Sequence, residues 1–238
     1  DDIDANLDIA GVETVTISVS TTTKDIELDL AGVSATKLVV TGGKAGEQVD
    51  LTGGSTKLNK TVTEVDASGT KGHIVLDASA TGGAAITVTA SADTVANNIT
   101  GTANADTFTI TGATNVAETI AGGAGTDTVN LTLGASFADG SGITAIETVN
   151  IAIPAGIDVD TSGGTGFDDA DIDYINVTGG NSLSTLTTGD LATGIKKIDA
   201  SEFGGNVVLT MAATDTLDST VEVVGGALAT DSMTTTYT

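Results

Sequence analysis

The sequence predicts an all-β chain, largely parallel, wound as a β-solenoid or β-helix with few or no helices. Three observations predict it. Apolar and polar residues alternate with a period of two almost throughout. A short motif recurs at intervals of about 23–27 residues, the length of one solenoid coil. Near the middle, a glycine-rich pattern of nine residues appears.

The alternation is clean in Thr14-Val15-Thr16-Ile17-Ser18-Val19, in Thr107-Phe108-Thr109-Ile110 and in Thr128-Val129-Asn130-Leu131-Thr132-Leu133. β-Branched residues in such a pattern form strands with one buried face. The recurring motif reads apolar, two residues, apolar, one residue, apolar or Ala. It occurs as Val12–Ile17, Ala35–Val40 and Val62–Ala67, and returns as Ile146–Ile151, Ile172–Val177 and Ile195–Ala200. One coil cannot bury its apolar row alone, so coils stack. Stacking predicts a ladder of Val15, Leu38 and Val65, and another of Val149, Ile175 and Ile198.

The two series match in detail. Glu13-Thr14-Val15 returns 134 residues later as Glu147-Thr148-Val149. Val40-Thr41-Gly42-Gly43 returns as Val177-Thr178-Gly179-Gly180, and Asp66-Ala67-Ser68 as Asp199-Ala200-Ser201. These near-constant offsets predict a tandem duplication, with a first solenoid unit over 1–96 and a second over 134–238.

The intervening segment, 97–133, has a different rhythm. Asn97, Asp106, Glu118 and Asp127 each stand two residues before Ile99, Phe108, Ile120 and Val129. Within each successive pair the spacing is nine. Gly122–Asn130 fits the nonapeptide G-G-x-G-x-D-x-U-x at every specified position. Gly101–Thr109 is a looser copy, and Gly163–Asp171 a third with Ala170 at the apolar place.

Composition narrows the function. The chain of 238 residues carries 8 Lys+Arg, all lysine, against 32 Asp+Glu, a net charge of −24. No lysine lies between Gly72 and Ile195. Nothing here neutralises phosphates, which argues against nucleic acid and against an anionic membrane surface as partners. No cysteine is present, so there is no disulfide framework and no thiolate metal site. No apolar run approaches the roughly 20 residues of a membrane span. A hydrophobic fraction of 39% sets the chain apart from acidic disordered tails. The start at Asp1 and the threonine-rich end predict a segment cut from a longer polypeptide.

The nonapeptide points to calcium, which takes six to eight oxygens at about 2.3–2.6 Å. Glycines permit the turn that directs backbone carbonyls at one spot, and the aspartate supplies charge. Each turn holds part of a coordination sphere, so stacked turns share an ion. The candidate ligands are Asp106 and Asp127, with Asn97 and Glu118 as partial substitutes. Candidate carbonyl donors are Gly101, Ala103 and Ala105 in one turn, and Gly122, Ala124 and Thr126 in the other. Asp168 is the candidate in the third copy. The competing reading has the glycines merely turning the chain and the aspartates standing in water.

The runs Ile99–Phe108, Ala121–Asp127 and Ile146–Ile151 resemble RTX-type surface-layer (S-layer) proteins, in particular the lattice-forming region of the Caulobacter kind. Gly11–Val15, Val39–Gly42 and Val65–Ser68 have the same character. The resemblance implies type I secretion to the extracellular cell surface and a calcium-bound β-solenoid. It further implies self-assembly with copies of the chain into a two-dimensional lattice. Its calcium-binding aspartates fall on Asp106 and Asp127. Contact with cell-surface lipopolysaccharide would be made by regions outside this segment.

Two other classes compete. An enzyme is disfavoured: His73 is the only histidine, and no G-x-S-x-G or H-E-x-x-H motif accompanies it. The adjacent acids Asp168 and Asp169 point to opposite faces if they lie on a strand. An RTX-type adhesin or ice-binding stalk is the closer rival, because Thr-x-Thr pairs recur at 14/16, 87/89, 107/109 and 234/236. Such pairs form a binding array only if they stack in register.

Overall fold

The computed structural model describes residues 3–20, 25–52, 57–80, 83–113, 118–134, 140, 142–160, 167, 171–188, 194–211, 221–226 and 232–235. Among these the chain is all strand and turn, a parallel β-solenoid without a helix. It divides into two compact units, one of Asp1–Thr111 with Glu118–Asp127, the other of Gly112–Ala117 with Thr128–Thr238.

The first unit contains β1 (Ile3–Ala10), β2 (Thr14–Val19), β3 (Ile26–Ser34), β4 (Lys37–Gly42), β5 (Gln48–Asp50) and β6 (Glu64–Thr70). It continues with β7 (His73–Asp77), β8 (Thr87–Ser91), β9 (Asn98–Thr100), β10 (Thr107–Ala113) and β11 (Thr119–Ala121). Odd strands follow one another in one sheet and even strands in the other. Each strand therefore pairs with the next but one, in parallel, as a coiling chain requires.

The second unit contains β12 (Thr128–Leu133), β13 (Ile143–Thr144), β14 (Thr148–Ile153), β15 (Val159–Asp160) and β16 (Tyr174–Gly179). After these come β17 (Thr185–Thr188), β18 (Lys197–Phe203), β19 (Asn206–Met211), β20 (Glu222–Val224) and β21 (Ser232–Thr235). Strands β12, β14, β16, β18 and β20 follow one another in one sheet, and β15, β17, β19 and β21 in another.

The expected ladders form. Val15 pairs with Leu38 and Leu38 with Val65, while Val149 pairs with Ile175 and Ile175 with Ile198. Val88 and Phe108 extend the first row. All these side chains are buried. Alternation of buried and half-buried residues along β4, β7 and β14 matches the period of two in the sequence.

The matched markers also fold alike. Glu13 O accepts the Thr36 and Lys37 amides, both at 3.0 Å; Glu147 O accepts those of Asp173 and Tyr174 at 2.9 and 3.0 Å. Gly42 and Gly179 take φ of +91° and +80°. A Cβ on Gly42 would lie 1.9 Å from Val19 O, and one on Gly179 2.4 Å from Ile153 O, so only glycine fits either turn. Register shifts after Val39 in the β4–β6 pair and after Asn176 in the β16–β18 pair. In both bulges the aspartate caps the serine two residues on: the Ser68 amide reaches Asp66 Oδ1 at 3.1 Å and the Ser201 amide reaches Asp199 Oδ1 at 3.0 Å.

Candidate metal centre

The nine-residue spacing places one polar residue ahead of each strand of a coil. Asn97 precedes β9, Asp106 precedes β10, Glu118 precedes β11 and Asp127 precedes β12. The coil length stacks them: Asn97 lies against Glu118, and Asp106 against Asp127, each 21 residues apart. All four are buried, with exposures of 0, 1, 2 and 0% in chain order. The reading in which the aspartates stand in water is thus corrected for Asp106 and Asp127.

Burial follows from what these side chains do. The Ile74 amide donates to Asn97 Oδ1 at 2.8 Å, and the Asn97 amide donates to Glu118 Oε2 at 2.8 Å. Ahead of the other sheet, the Ile86 amide donates to Asp106 Oδ1 at 2.7 Å and the Asp106 amide to Asp127 Oδ1 at 2.6 Å. Each side chain satisfies a main-chain donor of the preceding coil that would otherwise be buried unpaired.

The turns stack with them. The Gly101 amide donates to Ala121 O at 2.8 Å and the Ala124 amide to Thr102 O at 3.3 Å. Gly123 has φ +105°, and a Cβ there would lie 2.0 Å from Thr102 O. Gly101 and Gly122 are buried, whereas Ala103, Ala105, Ala124 and Thr126 are exposed. The six candidate carbonyl donors therefore belong to two layered turns, 101–106 and 122–127. Asp168 lies outside the described residues.

Asp106 is already well supplied with donors. Oδ1 accepts Ile86 N and Thr102 Oγ1, the latter at 2.9 Å, and Oδ2 accepts Thr102 N at 2.5 Å. Asp127 Oδ1 is likewise engaged by the Asp106 amide. Among the described residues no three His, Cys, Asp or Glu side chains gather as a metal cluster.

Glu118 meets Asn97 twice. Oε2 accepts both the amide and the Nδ2 of Asn97, at 2.8 and 3.0 Å. Oε1 is buried with no hydrogen-bond partner. Burial pushes the Glu118 carboxyl above its ordinary value, against the two Asn97 bonds, and the Asp93 charge raises it further. Asp93 itself is 9% exposed, and its Oδ2 accepts the Gly46 amide at 2.7 Å. The sequence offers Glu118 only as a partial substitute ligand and gives Asp93 no role. The signal for Glu118 lay in the 21-residue step from Asn97 to Glu118, which matches that from Asp106 to Asp127. Asp93 carries no such signal, because it comes from an irregular turn.

The second unit has a different polar row. Asn150 Nδ2 donates to Asn130 Oδ1 at 2.8 Å, and Asn176 Nδ2 to Asn150 Oδ1 at 2.7 Å. The row continues in register to Asp199, which pairs with Lys197 at 2.9 Å. Hydrogen bonds from the Ser201 hydroxyl and amide, with that lysine, hold the Asp199 carboxyl down to about 2. This ladder was legible as the asparagine in the same place of Val129-Asn130-Leu131, Val149-Asn150-Ile151 and Ile175-Asn176-Val177.

The threonine pairs separate. Thr87 and Thr89 stack in register on Thr107 and Thr109, but the row meets Glu64 and Asp66 on the β6 side. Thr14 and Thr16 stack on Lys37 and Val39. The pair at 234/236 lies outside the side chains described. His73 begins β7, half-buried, with Nδ1 enclosed and unpartnered. No family model, curated protein or solved structure matches this chain.

Proposed function

We propose that this chain is a structural segment of a secreted, calcium-dependent bacterial surface layer, which assembles with copies of itself into a two-dimensional lattice at the extracellular cell surface. One observation carries the reading: a stacked, coil-by-coil scaffold bears a net charge of −24. Much of the lysine complement is spent internally, in Lys37–Glu64, Lys44–Glu47, Lys196–Asp173 and Lys197–Asp199. Copies with such charge repel, and monovalent salt only screens that repulsion beyond roughly 8–10 Å. Calcium does more, because one ion binds carboxylates from two copies.

Calcium is also the cofactor of the turns 101–106 and 122–127 in this reading. Ala103, Ala105, Ala124 and Thr126 are exposed, and Asp106 and Asp127 are the candidate carboxylates. Scaffold function is favoured over catalysis because His73 is the single imidazole and no G-x-S-x-G or H-E-x-x-H motif accompanies it. The ice-binding and adhesin alternative draws on the Thr87/Thr89 and Thr107/Thr109 block. That block ends at two acids on one side, which interrupts the flat array a surface binder needs.

The test is electron microscopy of the purified parent protein. Sheets are expected in millimolar calcium and single particles after EDTA, with sodium chloride at matched ionic strength failing to substitute. A calcium-loaded protein that stays monomeric at high concentration overturns the lattice reading in favour of the stalk.

A further inference from the structure

We propose that the pocket at the bulge between β16 and β18 binds one sugar unit of a glycan through the hydroxyls of its ring. Such binding needs neither calcium nor a lattice.

The pocket has a volume of about 210 Å³ and is lined by Asn176, Val177, Thr178, Asp199, Ser201 and Glu202. Pockets for drug-sized ligands run to about 300–1,000 Å³ and are mostly apolar. This one has room for a single small ring, and every lining side chain except that of Val177 carries an oxygen. Ser201 and Glu202 are exposed, so the pocket opens on the outer face and leaves space for the rest of a glycan.

Its hydrogen bonding calls for a donor from outside. Along the asparagine row, Asn150 donates Nδ2 to Asn130 and accepts at Oδ1 from Asn176. Asn176 donates in the same direction, which turns its own Oδ1 toward β18. Its register partner there is Asp199, a carboxylate with no proton to give. Asp199 is served by the Ser201 amide at 3.0 Å and by Lys197 at 2.9 Å. The row thus ends with an amide oxygen facing a carboxylate, and the pocket lies at that place. Sugar hydroxyls both donate and accept, which suits an amide oxygen, two carboxylates and the hydroxyls of Thr178 and Ser201. An ammonium group only donates, and Lys197 already supplies one. Tyr174 stands two residues before Asn176 on the same face of β16 and is 41% exposed. Its ring gives the C–H face of a sugar a flat apolar surface.

The matching bulge of the first unit separates what the fold needs from what a ligand needs. Both bulges keep an aspartate that caps a serine, Asp66 with Ser68 and Asp199 with Ser201. Where the second has Tyr174, Asn176 and Glu202, the first has Lys37, Val39 and Gly69. The bulge therefore forms without the three side chains that would meet a sugar.

The probes are the methyl glycosides of glucose, galactose, mannose, rhamnose and N-acetylglucosamine, each observed with the whole chain by saturation-transfer NMR. At least one is expected to bind. Asn176→Val and Glu202→Gly install the first unit's residues, and each should weaken that binding at least about tenfold with β-sheet circular dichroism unchanged. Tyr174→Ala should weaken it by about fivefold, and Lys37→Ala, at the matching place of the first unit, should leave it unchanged. If Asn176→Val does not fold, Glu202→Gly and Tyr174→Ala, at exposed positions, decide. No binding of any glycoside overturns the proposal, as does binding that the folded variants leave intact. Binding of methylammonium in place of the glycosides makes the pocket an ammonium site, and binding of the free sugars alone excludes a glycan; either result overturns it.

Discussion

The coils around 97–127 and the marker-bearing coils at 13–70 and 147–203 solve the same problem differently. In the marker coils, one backbone carbonyl takes two amides of the next coil, as Glu13 O, Thr36 O, Glu147 O and Asp173 O do. Their acids, Asp66 and Asp199, lie at bulges and cap a serine on the accessible face. In the tight coils of 20–21 residues, a buried side chain reaches back to an amide of the preceding coil. The same residue types are therefore structural in one region and superficial in the other. Burial and the loss of water decide which.

The largest expected effect breaks that contrast most directly. Asp106→Ala strands the amides of Ile86 and Thr102 and the Thr102 hydroxyl, all served by one buried carboxylate. An orphaned buried donor costs about 1–3 kcal/mol, so the variant should lose about 4 kcal/mol in a urea melt. Asp106→Asn retains one acceptor and should fall between it and wild type. Asp66→Ala, at the accessible bulge, should shift the midpoint far less. Equal losses at 66 and 106 would abolish the distinction between the two regions.

The next effect is one of sign. Glu118 has a raised carboxyl pKa, so the folded state holds its proton more tightly than the unfolded chain does. Its contribution is present below the unfolded value of 4.5 and is lost as pH rises through the folded value. Asp199 is depressed to about 2 from 3.8, so its contribution is present above 3.8 and is lost as pH falls toward 2. In EDTA, Glu118→Gln should therefore melt progressively closer to, and then above, wild type as pH rises from about 4.5. Asp199→Asn should lose ground to wild type in a lower window, as pH rises from about 2 to 3.8. Parallel melting curves for wild type and Glu118→Gln would show that the enclosed carboxyl does not feel its surroundings.

Much of this architecture was legible beforehand, for a physical reason. Strand alternation and coil stacking both act on apolar side chains at fixed periods, so Val15, Leu38 and Val65 could be put in one ladder from spacing alone. The Asp66 and Asp199 markers were legible as repeats, though not as bulges, because a bulge depends on one extra residue against a partner strand. The nonapeptide located Asp106 and Asp127 but not their inward aim. Whether a side chain at a strand's start points to solvent or reaches an amide of the adjoining coil is set by the turn before it, as Asn97 does so across 23 residues and Asp106 across 20. Asp93 was not legible as the acceptor of the Gly46 amide, since an irregular turn sets that contact.

The smallest expected effect sharpens the comparison from the exposed side. Lys37 pairs with Glu64 across β4 and β6, and Lys197 with Asp199 within β18, with every one of these side chains at least a quarter exposed. Hydrogen bonding to the acid raises each lysine's pKa, yet water competes for both partners and the side chains lose freedom on pairing. Lys37→Met and Lys197→Met should thus leave the urea midpoint nearly unchanged at physiological salt. At low salt each should lose somewhat more, because a positive charge has been removed from a chain at −24 and its repulsions reach further. Raising sodium chloride to about 0.5 M should erase that extra loss. The Asp106→Ala loss should persist at every salt concentration, because stranded buried donors are beyond the reach of screening ions. A Lys37→Met loss that is large and indifferent to salt would mean that the surface pair is as structural as the buried corner, and the contrast between the two regions would fail.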